Sequence, residues 1–257
     1  MINDNKIKTD QKAARLRILG RPVDALNALE AAEEILYAWE RAEFFHVVTA
    51  NAEMIYRSTK DHDLAKVIEE ADLVTADGIG VVLASRLLGQ PVPERVAGYD
   101  LMLAALKMAS EGGRRVFFFG ARPEVLEGAL VATASRFPGV EIAGHRNGYF
   151  SPEAEEEIAA EIASAKPDLL LVALGVPKQE LWVSRFRGKL PPCAVIGVGG
   201  SFDVLSGKIK RAPTWIQRLG LEWLYRILRE PSRWKRALDL PLFLISVLIE
   251  ALKKRLS

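Results

Sequence analysis

The sequence predicts an α/β protein: a Rossmann-like, mostly parallel sheet flanked by helices, with a helical, basic C-terminal appendage. Three observations support this. Short apolar runs alternate with longer segments of helical periodicity, and the alternation stops near Thr214. Several of the runs are apolar without a break: VFFF at 116–119, LLLVAL at 169–174 and AVIGV at 194–198. Unbroken runs belong to strands covered on both faces, as in a parallel sheet with crossover helices on either side.

In chain order, residues 1–14 are polar and basic and are expected to form a disordered extension. Residues 15–20 read as a strand and 27–41 as a helix with apolar residues at helical spacing. Further strands are expected at 44–50, 73–76, 115–120, 140–144, 168–175 and 193–199. Ser151 marks a helix start, its hydroxyl capping free N–H groups, with Pro152 in the first helical position. Ala154 leaves a capping box incomplete, while Glu153, Glu155 and Glu156 suit the positive helix end. The catalytic core is therefore expected over 15–206 and the appendage over 207–257.

The 257 residues are 49% apolar and 26% charged, enough for a large core at the upper end of single-domain size. The single cysteine, Cys193, forms no internal disulfide, and the first residues lack the apolar stretch of a secretory signal, so a cytoplasmic location is expected. The apolar run 240–249 is broken by Pro241 and Ser246, closed by Glu250, and falls short of the roughly 20 residues of a membrane span.

The net charge of +2 conceals an asymmetry: residues 207–257 hold 12 Lys+Arg against 4 Asp+Glu, a balance of +8 that leaves −6 elsewhere. An anionic partner for the tail follows. Trp215, Ile216, Leu219, Trp223 and Leu224 share a helical stripe, and Arg218, Arg226 and Arg229 fall elsewhere. After a break near Pro231, Arg233, Trp234, Lys235 and Arg236 lead into the apolar run, which closes with Lys253, Lys254 and Arg255. Such faces suit helices lying in an anionic lipid interface. The same stripe would equally serve packing on the core or on another subunit of a homo-oligomer. With the charge confined to one apolar-rich end and no binding motif beside it, nucleic acid is not an expected partner.

Ligands of open parallel sheets bind beyond the carboxyl ends of the strands, so polar residues just after apolar runs are the candidates. Four segments qualify: TANAE at 49–53, TADGIG at 75–80, GVPKQE at 175–180 and GVGGSFD at 197–203. Gly175, Gly199 and Gly200 let the backbone approach a ligand, and helix N-termini behind them favour phosphate. Lys178, Gln179 and Asp203 join them as candidates for binding a nucleotide donor. Neither GxGxxG nor GxxxxGK[ST] occurs, because Phe202 stands three after Gly199, which weakens the NAD-type and P-loop readings.

Asp77 follows an apolar strand and precedes glycine, a position suited to a general base and equally to a turn or N-cap. Thr49 and Asn51 carry the same two readings. Arg95, in a turn-rich loop, would clamp phosphate in the bidentate manner of arginine or pair with Glu94 or Asp100. Asp61-His62-Asp63 has the form of an Asp-x-Asp metal motif but lies between two helical stretches, where capping is expected. His46, His62 and His145 are scattered. Neither a metal site built by the protein nor a cofactor is expected.

Taken together and in order, TANAE, ADGIG, PERVAGYDLM, GYF, LGVPKQE, GVGGSFDVLSGKIKRAP and GLEWLYRILREP resemble the WecG/TagA/CpsF glycosyltransferases, glycosyltransferase family 26, from about Arg17 through Leu242. The resemblance implies transfer of an N-acetylmannosamine-type sugar from a UDP donor to polyprenyl-diphosphate-linked N-acetylglucosamine. It places this on the cytoplasmic face of a bacterial membrane, in wall teichoic acid or other surface polysaccharide synthesis. It places the catalytic base on Asp77, pocket residues on Thr49, Asn51, Arg95 and Gln179, and arginines closing over the site on Arg211, Arg226 and Arg229. Where some relatives read ATPNAE this chain has VTANAE, a departure that bears on the local turn. The reaction expected is single-step and inverting; with no metal motif, arginines and helix N-termini are expected to meet the departing diphosphate, and order of the tail on lipid is expected to gate turnover. A membrane-docked sensor that binds UDP-sugars without reacting them is the rival class, separated by assaying donor hydrolysis or transfer.

Overall fold

The computed structural model describes residues 14–229 and 239–256. All of the expected N-terminal extension but Ala14 lies outside the described residues, as do the break near Pro231 and the basic cluster Arg233 to Arg236.

The chain opens with a hairpin, β1 (Arg15–Ile18) and β2 (Arg21–Asp24), of which only the first strand is expected from sequence. Leu19 and Gly20 at its turn both have positive φ, the requirement of a primed two-residue turn. Buried Asp24 accepts from the Arg15 guanidinium at 2.7 and 2.8 Å and from the Val74 N–H at 2.7 Å, which ties the hairpin to the sheet.

Among the described residues the main sheet has six strands: β3 (Phe45–Ala50), β4 (Leu73–Ala76), β5 (Arg115–Gly120), β6 (Glu141–Arg146), β7 (Leu169–Ala173) and β8 (Ala194–Gly197). They run parallel in the order β4-β3-β8-β7-β5-β6. Alternate residues serve opposite faces, so Phe118 and Leu171 enter one apolar cluster while Phe117, Phe119, Leu170 and Val172 enter another. Both faces are covered, which is why these strands carry no polar alternation.

The helices are α1 (Ala28–Arg41), α2 (Ala52–Ser58), α3 (His62–Glu70), α4 (Ile79–Leu87), α5 (Gly98–Glu111), α6 (Pro123–Arg136), α7 (Glu155–Ala165), α8 (Lys178–Phe186), α9 (Ser201–Leu205), α10 (Thr214–Arg218), α11 (Glu222–Arg229) and α12 (Asp239–Leu256). α1 begins with a reciprocal box: Asn27 accepts from the Glu30 N–H and the Glu30 carboxylate accepts from the Asn27 N–H. Asp61 caps α3 through the Leu64 N–H at 3.0 Å, the capping role expected of it. Ser151 departs from expectation. A single 3₁₀ turn, Pro152–Ala154, precedes α7, and the Ser151 hydroxyl bonds the Glu153 carboxylate, which it holds below the usual range, so no backbone N–H is capped.

The stripe expected of one tail helix is divided between α10 and α11. Gly220 breaks it with φ +71°, and a Cβ there would come within 2.8 Å of Ile79, so the turn is seated against the start of α4. α12 returns to the body and packs on α2 and α4, burying Phe243 and Val247 completely in the cluster around β3 and β4. Pro241 sits in its first turn, where no N–H is needed. Glu250 on the same helix accepts from the Leu19 N–H of the hairpin at 2.8 Å. Among the described residues no helix is long and apolar enough to cross a membrane.

Candidate active site

A cleft of about 300 Å³ lies over the carboxyl ends of β4, β3, β8 and β7. Register determines its floor. Thr49 pairs with Thr75 and Ala50 with Ala76, so Asn51 and Asp77 leave neighbouring strands at one level, and the Asp77 N–H donates to the Ala50 carbonyl at 2.9 Å. Both side chains line the cleft. The N-cap of α4 is Gly78 rather than Asp77. Thr49, buried, donates its hydroxyl to the Gly197 carbonyl at 3.0 Å, and Asn51 Oδ1 accepts from the Met54 N–H at 2.8 Å as the cap of α2. The capping reading holds for Asn51; Thr49 forms no turn, because it lies within β3 and its hydroxyl ties that strand to the end of β8.

On the other side α8 is anchored by Trp182 and Phe186. The Trp182 ring lies 4.7 Å from Phe119 and 4.9 Å from Phe186, contacts of the kind that contribute about 0.5–1.5 kcal/mol each. This fixes Gln179, whose Oε1 accepts from the N–H groups of Gly175 at 3.2 Å and Gly199 at 3.1 Å. Its Nε2 donates to Glu180 Oε1 at 2.7 Å. Burial pushes the Glu180 carboxyl up to about 7.

The third wall comes from the loop before α5 and from the appendage. Arg95 donates to Glu222 at 3.1 Å, and Arg211 donates to Glu222 at 3.4 Å while gripping Asp100 with both nitrogens at 2.6 and 2.7 Å. Burial lowers the Arg211 pKa, and Asp100 with Glu222 more than offsets it, so this guanidinium stays charged. The Arg211 guanidinium also stacks 5.0 Å from the Tyr99 ring centroid. Arg95 thus forms an ion pair, as one of its two readings has it, but with Glu222 in place of the expected Glu94 or Asp100.

Asp77, Thr49, Asn51, Arg95, Gln179, Gly175, Gly199, Gly200 and Arg211 all line the cleft. Lys178 and Asp203 do not: the Lys178 ammonium sits 4.2 Å over the Phe150 ring, and Asp203 pairs with Arg122 at 3.8 Å. Arg229 lies outside the lining, over the Tyr225 ring, and the Arg226 side chain is outside what the structure describes.

The model of the glycosyl transferase WecG/TagA/CpsF family matches residues 16–257. The chain belongs to the WecG/TagA/CpsF family. It is 42% identical over 202 residues to a relative from Bacillus spizizenii, covering 79% of this chain and 78% of that one. A Bacillus subtilis relative is 40% identical over 209 residues, 81% of each chain, and a Staphylococcus aureus relative 35% identical over 243 residues, 94% of this chain and 95% of the other. All three are named N-acetylglucosaminyldiphosphoundecaprenol N-acetyl-beta-D-mannosaminyltransferase.

In this WecG/TagA/CpsF chain the cleft also contains residues that motif reading passed over: Glu53, Tyr99, Glu222 and Trp223. Glu222 and Trp223 lie in the GLEWLYRILREP segment, where attention to arginines hid the carboxylate. Three acidic side chains (Glu53, Asp77, Glu222) and two basic ones (Arg95, Arg211) line the cleft among the described residues. An anion entering it must compete with Glu222 for Arg95, and with Glu222 and Asp100 for Arg211. No three His, Cys, Asp or Glu side chains among the described residues come together in a way that could hold a metal ion.

Proposed function

We propose that this protein transfers N-acetylmannosamine from a UDP donor to polyprenyl-diphosphate-linked N-acetylglucosamine, with inversion and without a metal, at the inner face of a bacterial membrane. The product feeds wall teichoic acid or a related surface polysaccharide. The observation behind the mechanism is the convergence of Asp77, Arg95 and Arg211 on one cleft at the strand ends. The names of the relatives support the donor sugar and the lipid-linked acceptor.

Asp77 accepts the proton of the acceptor hydroxyl while that oxygen forms a bond to the anomeric carbon. The bond from that carbon to the β-phosphate oxygen breaks, and its electron pair leaves with UDP. Arg95, released from Glu222, and Arg211, still paired with Asp100, meet the charge that develops there, helped by the N-termini of α4 and α5, whose first residues line the cleft. Asn51, its Oδ1 used in capping, offers its amide NH₂ to substrate.

For membrane association the support is on α12. Leu242, Ile245, Ile249, Leu252 and Leu256 are all exposed at alternating three- and four-residue spacing, opposite the buried Phe243 and Val247, and the helix ends in Lys253, Lys254 and Arg255. An apolar stripe with a basic end is suited to lie among anionic headgroups.

The test is transfer from UDP-N-acetylmannosamine to a short-chain lipid-diphosphate acceptor in EDTA, beside other UDP-sugars. Asp77→Asn is expected to lower kcat by about 100-fold or more. Wild-type turnover in that variant removes Asp77 from the role, and no transfer from any UDP-sugar defeats the reading.

A further inference from the structure

Beneath the cleft lies a carboxyl group that the reaction does not use. Glu180 is 1% exposed and does not line the cleft. Its Oε1 accepts from the Gln179 amide, and Oε2 is buried with no hydrogen-bond partner among the described residues. A buried polar atom without a partner costs about 1–3 kcal/mol, so apolar packing there would be more stable. The residue therefore needs a reason other than stability.

Geometry supplies one. The Gln179 amide has two orientations related by a flip, and only one lets its oxygen accept from both Gly175 and Gly199. Those N–H groups belong to the turns that leave β7 and β8, and both glycines line the cleft. In the flipped amide the NH₂ would face two donors and the oxygen would face Glu180 Oε1. The two N–H donors favour one orientation, and Glu180 Oε1, as the acceptor for Nε2, holds the amide in it.

A second feature points the same way. A Cβ on Gly197 would stand 2.6 Å from Gln179 Nε2 and 3.3 Å from Glu180 Oε1, so the last residue of β8 leaves room for this pair. The Gly197 carbonyl in turn accepts from the Thr49 hydroxyl, which continues the network to the opposite wall.

We propose that Glu180 is a positioning residue, whose Oε1 holds the Gln179 amide in the orientation that joins Gly175 to Gly199 and so shapes the floor of the donor cleft. It acts through Gln179 and touches no substrate. The link to the donor rests on the reading of the cleft as a UDP-sugar site; the link between the two turns does not.

The experiment compares wild type, Glu180→Gln, Glu180→Leu and Gly197→Ala in the full chain. Three quantities are read: amide hydrogen exchange at Gly175 and Gly199, UDP affinity by calorimetry, and KM and kcat for the donor. Glu180→Gln keeps an acceptor oxygen and is expected to stay within about threefold of wild type in all three. Glu180→Leu leaves Nε2 without an acceptor. It is expected to speed exchange at both glycines and to weaken UDP binding and raise donor KM on the order of tenfold, the scale of one orphaned buried donor, with the thermal midpoint held or raised. Gly197→Ala pushes on Gln179 directly and is expected to give the same pattern with Glu180 intact.

Unchanged exchange in Glu180→Leu overturns the proposal, as does Glu180→Gln as impaired as Glu180→Leu. If Glu180→Leu does not fold, Gly197→Ala decides: normal exchange at Gly175 and Gly199 overturns the proposal. Absence of UDP binding by wild type defeats the donor reading alone, because the exchange experiment still reports on the two turns.

Discussion

Burial acts in opposite senses on two titratable side chains of the core. It raises Glu180 from 4.5 to about 7 and, with Arg187 adding to it, lowers His46 from 6.5 to about 3. The folded chain keeps a proton on Glu180 that the unfolded chain gives up above about pH 4.5, so this group makes stability fall as pH rises from about 4.5 to about 7. His46 stays neutral in the fold while the unfolded chain takes up a proton below about 6.5, so its contribution rises from about pH 3 to about 6.5. The two slopes oppose each other in their shared window. Glu180→Gln removes only the first, and its urea midpoint is expected to gain on wild type between pH 5 and pH 8; an equal difference at both pH values would show that the carboxyl is not desolvated. At this scale the caps Asn51 and Asp61 were legible in the sequence, since each acts on an N–H group three residues away, whereas Ser151 was misread because its hydroxyl goes to Glu153. The partner of Arg95 was not, because Glu222 lies 127 residues further along and no local spacing connects them.

The turn between α10 and α11 is where helical periodicity misled. A stripe from Trp215 to Leu224 reads as one helix when only apolar spacing is counted, and the interruption depends on a backbone angle that only Gly220 signals. The parallel strands were easier to read, because double burial leaves an unbroken apolar run; β2 was not, being short and half polar in sequence. Gly220→Ala introduces a side chain at positive φ and drives it into Ile79, which should cost more than about 1 kcal/mol and displace α11 from the cleft. A thermal midpoint lowered by a few degrees and a donor KM raised on the order of tenfold are expected; an unchanged KM would detach α11 from donor binding. Glu222→Gln tests the same wall in the opposite direction. Weakening its hold frees Arg95 and leaves Arg211 on Asp100 alone, and UDP should bind about fivefold more tightly, the equivalent of about 1 kcal/mol. Weaker binding would show that Glu222 orients the arginines rather than competing for them.

Across the whole molecule, α12 has two apolar faces with different roles. One completes the core through Phe243 and Val247, so deletion of residues 239–257 is expected to lower the thermal midpoint on the order of 10 °C, from two buried side chains at about 1.5–3 kcal/mol each. The other is exposed, and Ile249→Glu should abolish sedimentation with phosphatidylglycerol vesicles at an unchanged thermal midpoint. Loss of a dimer in sedimentation velocity with vesicle binding intact would instead assign that face to a second subunit. The basic, apolar character of this end was legible from composition; its return to the core was not, because contacts between α12 and α2 or the hairpin span most of the chain. That return also makes the pocket hostage to the core: Leu240 lines the cleft one turn before Phe243 enters the apolar cluster, so whatever loosens α12 from α2 and α4 opens a wall of the site as well.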